Sequence, residues 1–235
     1  MHSSFRSDRA IDRMSGSNAT KSRFTELAPR SRFLHLATHG FFAPENMKSA
    51  LTTSGSDKNP GMELMGESRV TGFHPGLLSG IVFAGANQTV DAQRGDSSVL
   101  TATEVAELDL RGVELAVLSA CETGLGQVAG GEGVLGLQRA FQIAGAGATV
   151  TSLWKVDDGA TQVLMSRFYG NLWDKKLSKL EALREAQLWM LRHSDEAKAE
   201  IGKLRGGEDE LAGATDQSYA SPKYWAAWVL SGDWR

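Results

Sequence analysis

The chain has one cysteine, Cys121, among 235 residues. That excludes an internal disulfide, makes a cysteine-rich zinc site implausible, and points to a reducing compartment. No run of about eighteen consecutive apolar residues is present, so no transmembrane helix can be assigned. The first thirty residues carry Arg6, Arg9, Arg13, Lys21, Arg23 and Arg30 without the apolar core of a signal peptide. A formal net charge of −3 gives no overall field for nucleic acid or a membrane surface. These shortages lead us to expect a cytoplasmic protein that contacts neither directly. Internal repeats and low-complexity arrays are also missing.

What is there suits one globular domain, with 41% hydrophobic and 23% charged residues. Residues 1–23, polar and rich in Ser and Arg, are expected to be poorly ordered, and residues 24–235 to form the domain. A short helix is expected to end before Pro29. The runs Phe33 to Thr38, Leu115 to Ala120 and Ala148 to Trp154 are short and largely apolar, the pattern of buried strands, and Leu77 to Ala84 reads as a short strand closed by Gly85 and Asn87. Residues 43 to 75 read as a surface excursion.

Helix signals alternate with these runs. Thr101 with Glu104, and Ser178 with Glu181, have capping-box spacing. Val134, Leu137, Phe141 and Ala144 share one helical face, and Leu164, Phe168 and Leu172 another. Leu180, Leu183, Ala186 and Met190 are expected to point inward from a third helix, and Asp158 to cap the second. Residues 194 to 219 read as a charged stretch with at most a short helix. The run Trp225 to Leu230 suits a terminal strand. Alternation of this kind predicts an α/β fold in three layers, with a mainly parallel sheet.

Two of the strands end in chemistry. The first runs into His39-Gly40 and another into Cys121, and in open α/β sheets reactive groups gather beyond the carboxyl ends of the strands. A thiol of pKa ~8.5 is a poor nucleophile at neutral pH unless a neighbour takes its proton. His39 is the candidate base, and as an acid it can return the proton to a leaving amine. Gly40 has no Cβ to block close approach, so its N–H and that of Cys121 can serve a developing oxyanion. His35 lies within its strand and reads as structural, His74 precedes Pro75 in a loop, and His193 ends a helix. The glycines from Gly124 to Gly133 lack the lysine and hydroxyl of a P-loop, which argues against nucleotide binding.

The segments Leu34-His35-Leu36-Ala37-Thr38-His39-Gly40 and Val117-Leu118-Ser119-Ala120-Cys121-Glu122-Thr123-Gly124 resemble the CHAT domain, a caspase-like cysteine peptidase family often joined to tetratricopeptide repeats. The likeness continues through Ser79-Gly80-Ile81, Leu100-Thr101, Leu108-Asp109-Leu110, Leu153-Trp154-Lys155-Val156-Asp157-Asp158 and Tyr224-Trp225-Ala226-Ala227. It implies the three-layer caspase-like fold, with His39 and Cys121 as a catalytic dyad and Gly40 in the oxyanion hole. It also implies a domain shortened at its N-terminus, because residues 1 to 15 cannot supply the strand and helix that precede the matching region in such folds. In the related separases an acidic residue after the corresponding strand receives a basic substrate side chain. Asp158, with Asp157 beside it, would then bind the residue before the scissile bond.

The expected activity is a cysteine endopeptidase that cleaves a protein partner after a basic residue, in signalling of bacterial type. It would need no cofactor or metal, and would work with a tetratricopeptide-containing or sensor protein. A non-catalytic scaffold that retains the fold is the alternative. The same dyad would also serve transfer or hydrolysis of small acyl groups.

Overall fold

Leu115–Leu118 forms strand β5, and all four of its side chains are buried. Only a strand covered on both faces has that pattern. The computed structural model describes residues 11–38, 40–42, 79–86, 98–119, 132–204 and 218–235. Within these, β5 sits between β1 (Phe33–Leu36) and β6 (Ala148–Ser152), parallel to both, and β7 (Trp228–Gly232) closes the sheet antiparallel to β6. The strand order is β1-β5-β6-β7.

The two faces of this sheet carry two separate cores, because alternate residues point to opposite sides. Leu115, Val117, Ala148 and Val150 pack with Leu164, Phe168, Leu183, Met190 and Ile201. Those partners lie on α4 (Asp158–Tyr169), α5 (Lys179–Arg192) and α6 (Ser194–Leu204). On the other face Ala116 and Leu118 join Leu36, Leu137, Phe141 and Phe24. These come from β1, α3 (Glu132–Ile143) and α1 (Lys21–Leu27). The result is three layers, a mainly parallel sheet between helices. Phe141 and Phe168 are wholly buried on opposite sides, and truncating either to alanine is expected to cost ~3–5 kcal/mol.

Both capping boxes form, at Thr101–Glu104 for α2 (Ala102–Ala106) and at Ser178–Glu181 for α5. Helix α1 starts at Lys21, ahead of the expected order at Phe24, with Thr20 accepting from Arg23 N. At the other end of the chain, β7 reaches Gly232. There φ is +99°, and a Cβ would collide with the Gly147 carbonyl oxygen and lie 3.0 Å from Ala148 Cα. Only glycine fits that close antiparallel approach.

The structure adds an element the sequence did not announce, and three expectations need correction. A second sheet, antiparallel and in the order β2-β3-β4, is built from β2 (Gly40–Phe42), β3 (Ser79–Val82) and β4 (Val99–Thr101). Leu180 points outward at 47% exposure while Lys179 is buried, because the inward stripe of α5 runs through 179, 182, 183, 186 and 190. The charged stretch after residue 194 holds an eleven-residue helix, α6, anchored by buried Ala197 and Ile201 one turn apart. Asp157, rather than Asp158, caps α4. The expected excursion at 43 to 75 and the loop from Gly124 to Gly131 lie outside the described residues.

Candidate functional site

The β1–β5 ladder pairs Phe33 with Leu115 and continues in step to Leu36 with Leu118. Beyond it Ser119 N donates to Leu36 O at 3.0 Å, so the two chains are still in register one residue later. His39 and Cys121 each follow the last pair by three residues of sequence and lie outside the described residues. Their immediate neighbours are described in part.

Thr38, just before His39, donates its hydroxyl to Val82 O at 2.6 Å. Gly40, just after it, is buried and lies opposite Ile81 in the β2–β3 pair. Both flanks of His39 are therefore held by β3. The direction of the Gly40 amide follows from the ladder. Phe83 N donates to Ser98 O at 2.7 Å, which makes this a hydrogen-bonded pair on the β3–β4 side. Alternation along the strand sends the Ile81 backbone to β4 as well, so Gly40 and Ile81 are a non-hydrogen-bonded pair. The N–H of Gly40 consequently points away from β3.

Next to β5, the chain leaving β6 exposes Leu153, Trp154 and Lys155 and buries Val156. It is fastened to the segment before β7, with Leu153 N donating to Ala227 O at 2.9 Å and Trp154 Nε1 to Lys223 O at 3.0 Å. Asp157 follows, its Oδ1 accepting from Ala160 N at 3.0 Å. Asp158 is the first residue of α4 and is exposed. Of the two carboxylates, Asp157 is engaged by the helix end, and Asp158 faces solvent on the rim of the strand ends.

His35 belongs to the scaffold. Its Nδ1 shares a hydrogen bond with the Tyr169 hydroxyl, and its ring packs on Tyr169, which stacks on Trp173 at 4.6 Å between centroids. One edge of His35 meets solvent, yet its surroundings are desolvated enough to lower its pKa. Burial also raises the pKa of Tyr169 above the ordinary tyrosine value. Among the described residues, no group of three His, Cys, Asp or Glu side chains could hold a metal ion. Nor is any described helix long and apolar enough to cross a membrane.

Motif order along the chain and the layered sheet agree with one comparison. The model of the CHAT domain matches residues 3–233. The chain belongs to the CHAT domain family. Its fold accords with the caspase-like character of that family. Tetratricopeptide repeat protein 28 of Homo sapiens is 30% identical over 166 residues, which cover 67% of this chain and 6% of the human protein. The Mus musculus protein of the same name is 27% identical over 162 residues, again 67% of this chain and 6% of the relative. This CHAT chain therefore spans a small part of the length of the relatives it matches.

The tether from Thr38 to β3 was not anticipated from the sequence. Its only signal is a threonine directly before His39, and the partner is a main-chain carbonyl that no pattern marks.

Proposed function

We propose that this CHAT domain is a cysteine endopeptidase, with residues 24–235 as the peptidase unit and His39 and Cys121 as the dyad. The observation that carries the reading is the parallel β1–β5 register, because both residues follow its last pair, Leu36 and Leu118, by the same three positions. Neighbouring parallel strands that run into an imidazole and a thiol in step favour a reaction between the two.

In this reading His39 takes the Cys121 proton and the thiolate attacks the scissile carbonyl carbon. The oxyanion accepts from the N–H groups of Gly40 and Cys121. The imidazolium then protonates the leaving amine, and water, deprotonated by His39, releases the acyl group from sulfur. The outward-pointing Gly40 amide supports this use. Exposed Asp158 supports pairing with an Arg or Lys before the scissile bond, and Asp157 contributes by shaping the helix end. Relatives named for tetratricopeptide repeats support a protein partner, and in this reading a repeat-containing or sensor protein presents the protein substrate in the cytoplasm.

The test compares Cys121→Ala and His39→Ala with the parent chain on candidate protein substrates. Each variant should lose proteolysis by several orders of magnitude while melting at the same temperature. Full turnover in Cys121→Ala would place the nucleophile elsewhere. A parent chain that cleaves no candidate substrate would favour the scaffold.

A further inference from the structure

A hollow of about 410 Å³ opens between α4, the π-helical turn Gly170–Asp174 that follows it, and the second half of α5. Its walls are built. Arg167 sits over the Trp189 ring, its guanidinium carbon 3.9 Å from the centroid, and also pairs with Glu200. His193 stacks on Trp189 at 5.4 Å and 10°. Buried Asn171 donates to Ala182 O at 3.1 Å, which ties the π turn to α5.

The turn brings a cation, Lys175, to the lining of the hollow. Lys175 N closes the turn on Gly170 O, and Lys176 then takes a left-handed conformation, with φ +56°. A position of this kind normally favours glycine, and a π turn is itself rare and concentrated at functional sites. Arg192 lines the same hollow as Lys175. Both are exposed, and neither has a carboxylate partner among the described residues. Glu185, the one acidic side chain lining the hollow, is paired with Arg184 outside it.

We propose that this hollow binds a phosphate group, with Lys175 and Arg192 supplying charge, His193 a further donor, and Leu177 and Trp189 the apolar wall. One carboxylate would need only one of these cations. A phosphate dianion with three acceptor oxygens can engage them together. The site lies on the helical side of the sheet formed by α4 and α5, and it does not depend on the Cys121 reaction.

Calorimetric titration of the 235-residue chain tests it, with inorganic phosphate, a phosphoserine peptide and the same peptide unphosphorylated. Saturable binding of at least one phosphate ligand is expected, with none of the unphosphorylated peptide. Binding of the phosphopeptide alone assigns the phosphate to a modified protein, and equal binding of inorganic phosphate assigns it to the free anion. Lys175→Glu and Arg192→Glu should each weaken binding by about tenfold or more. Their glutamine counterparts serve if charge reversal lowers the melting temperature. Arg139→Glu, at an exposed position of α3 across the sheet, is the charge-matched control and should change nothing. No saturable binding in the millimolar range, or an equal loss in Arg139→Glu, would overturn the proposal.

Discussion

Thr38 donates its hydroxyl to Val82 O at 2.6 Å, a bond between the chain entering the strand-end site and the central strand of the second sheet. It joins two sheets whose strands, among the described residues, do not pair with each other. Thr38→Val keeps the shape and removes the donor. The expected loss of stability is about 1 kcal/mol. If His39 acts as base, kcat should fall more than KM rises, because the bond positions the catalytic group and does not touch substrate. Unchanged kcat in a destabilised variant would make the bond purely structural.

Asp157 and Asp158 should separate cleanly. Asp157→Ala removes the α4 cap and should cost ~0.5–2 kcal/mol of stability, most of it recovered in Asp157→Asn. Asp158→Asn should leave the melting temperature alone and weaken cleavage after Arg by ~2–5 kcal/mol in transition-state binding, the range for truncating a charge pair buried by substrate. Equal cleavage after Arg in the Asp158 variant would remove the acidic pocket and leave the dyad untouched.

Lys21 on α1 reaches Glu104 at 2.6 Å, across 83 positions of sequence. Burial pushes the Glu104 pKa up, but hydrogen bonds from Lys21 and Thr101 outweigh it and hold the carboxyl below its ordinary value. A depressed folded-state pKa stabilises the fold above the unfolded value of 4.5, and that contribution is lost as pH falls through the folded value. Glu104→Gln should therefore melt lower than the parent at pH 7. Thermal melts in acid should show the difference shrinking below about pH 4.

How much of this was legible depended on whether a local pattern carried the information. The runs around Val117 and Val150 became the two buried interior strands, whereas the run around Leu36, expected to be buried on both faces, became β1 at the end of the sheet among the described residues, with His35 exposed. Capping boxes at Thr101 and Ser178 are three-residue signals and formed as spaced. The adjacent carboxylates of Asp157-Asp158 offer two equivalent caps, and only the fold selects the first. Helix α6 was obscured because just Ala197 and Ile201, with Gly202, are buried in a charged segment, and their contact with α4 is tertiary. Strands β2 and β4 have three residues each, too few to show alternation. Lys179 faces inward because its ammonium donates to Asp233 O at 3.1 Å, a partner at the far end of the chain. Matching strand ends point to parallel neighbours below His39 and Cys121, and β1 and β5 pair that way; their residue-by-residue register is set by tertiary packing that no local pattern carries.

The central claim is a nucleophilic Cys121 served by His39. The most direct measurement is intact mass after treatment with a peptide bearing arginine next to an electrophilic warhead, followed by peptide mapping. The account predicts one adduct, on Cys121, formed much more slowly in His39→Ala and not at all in Cys121→Ala. An adduct on another residue, or labelling of Cys121 at the same rate without His39, would contradict it.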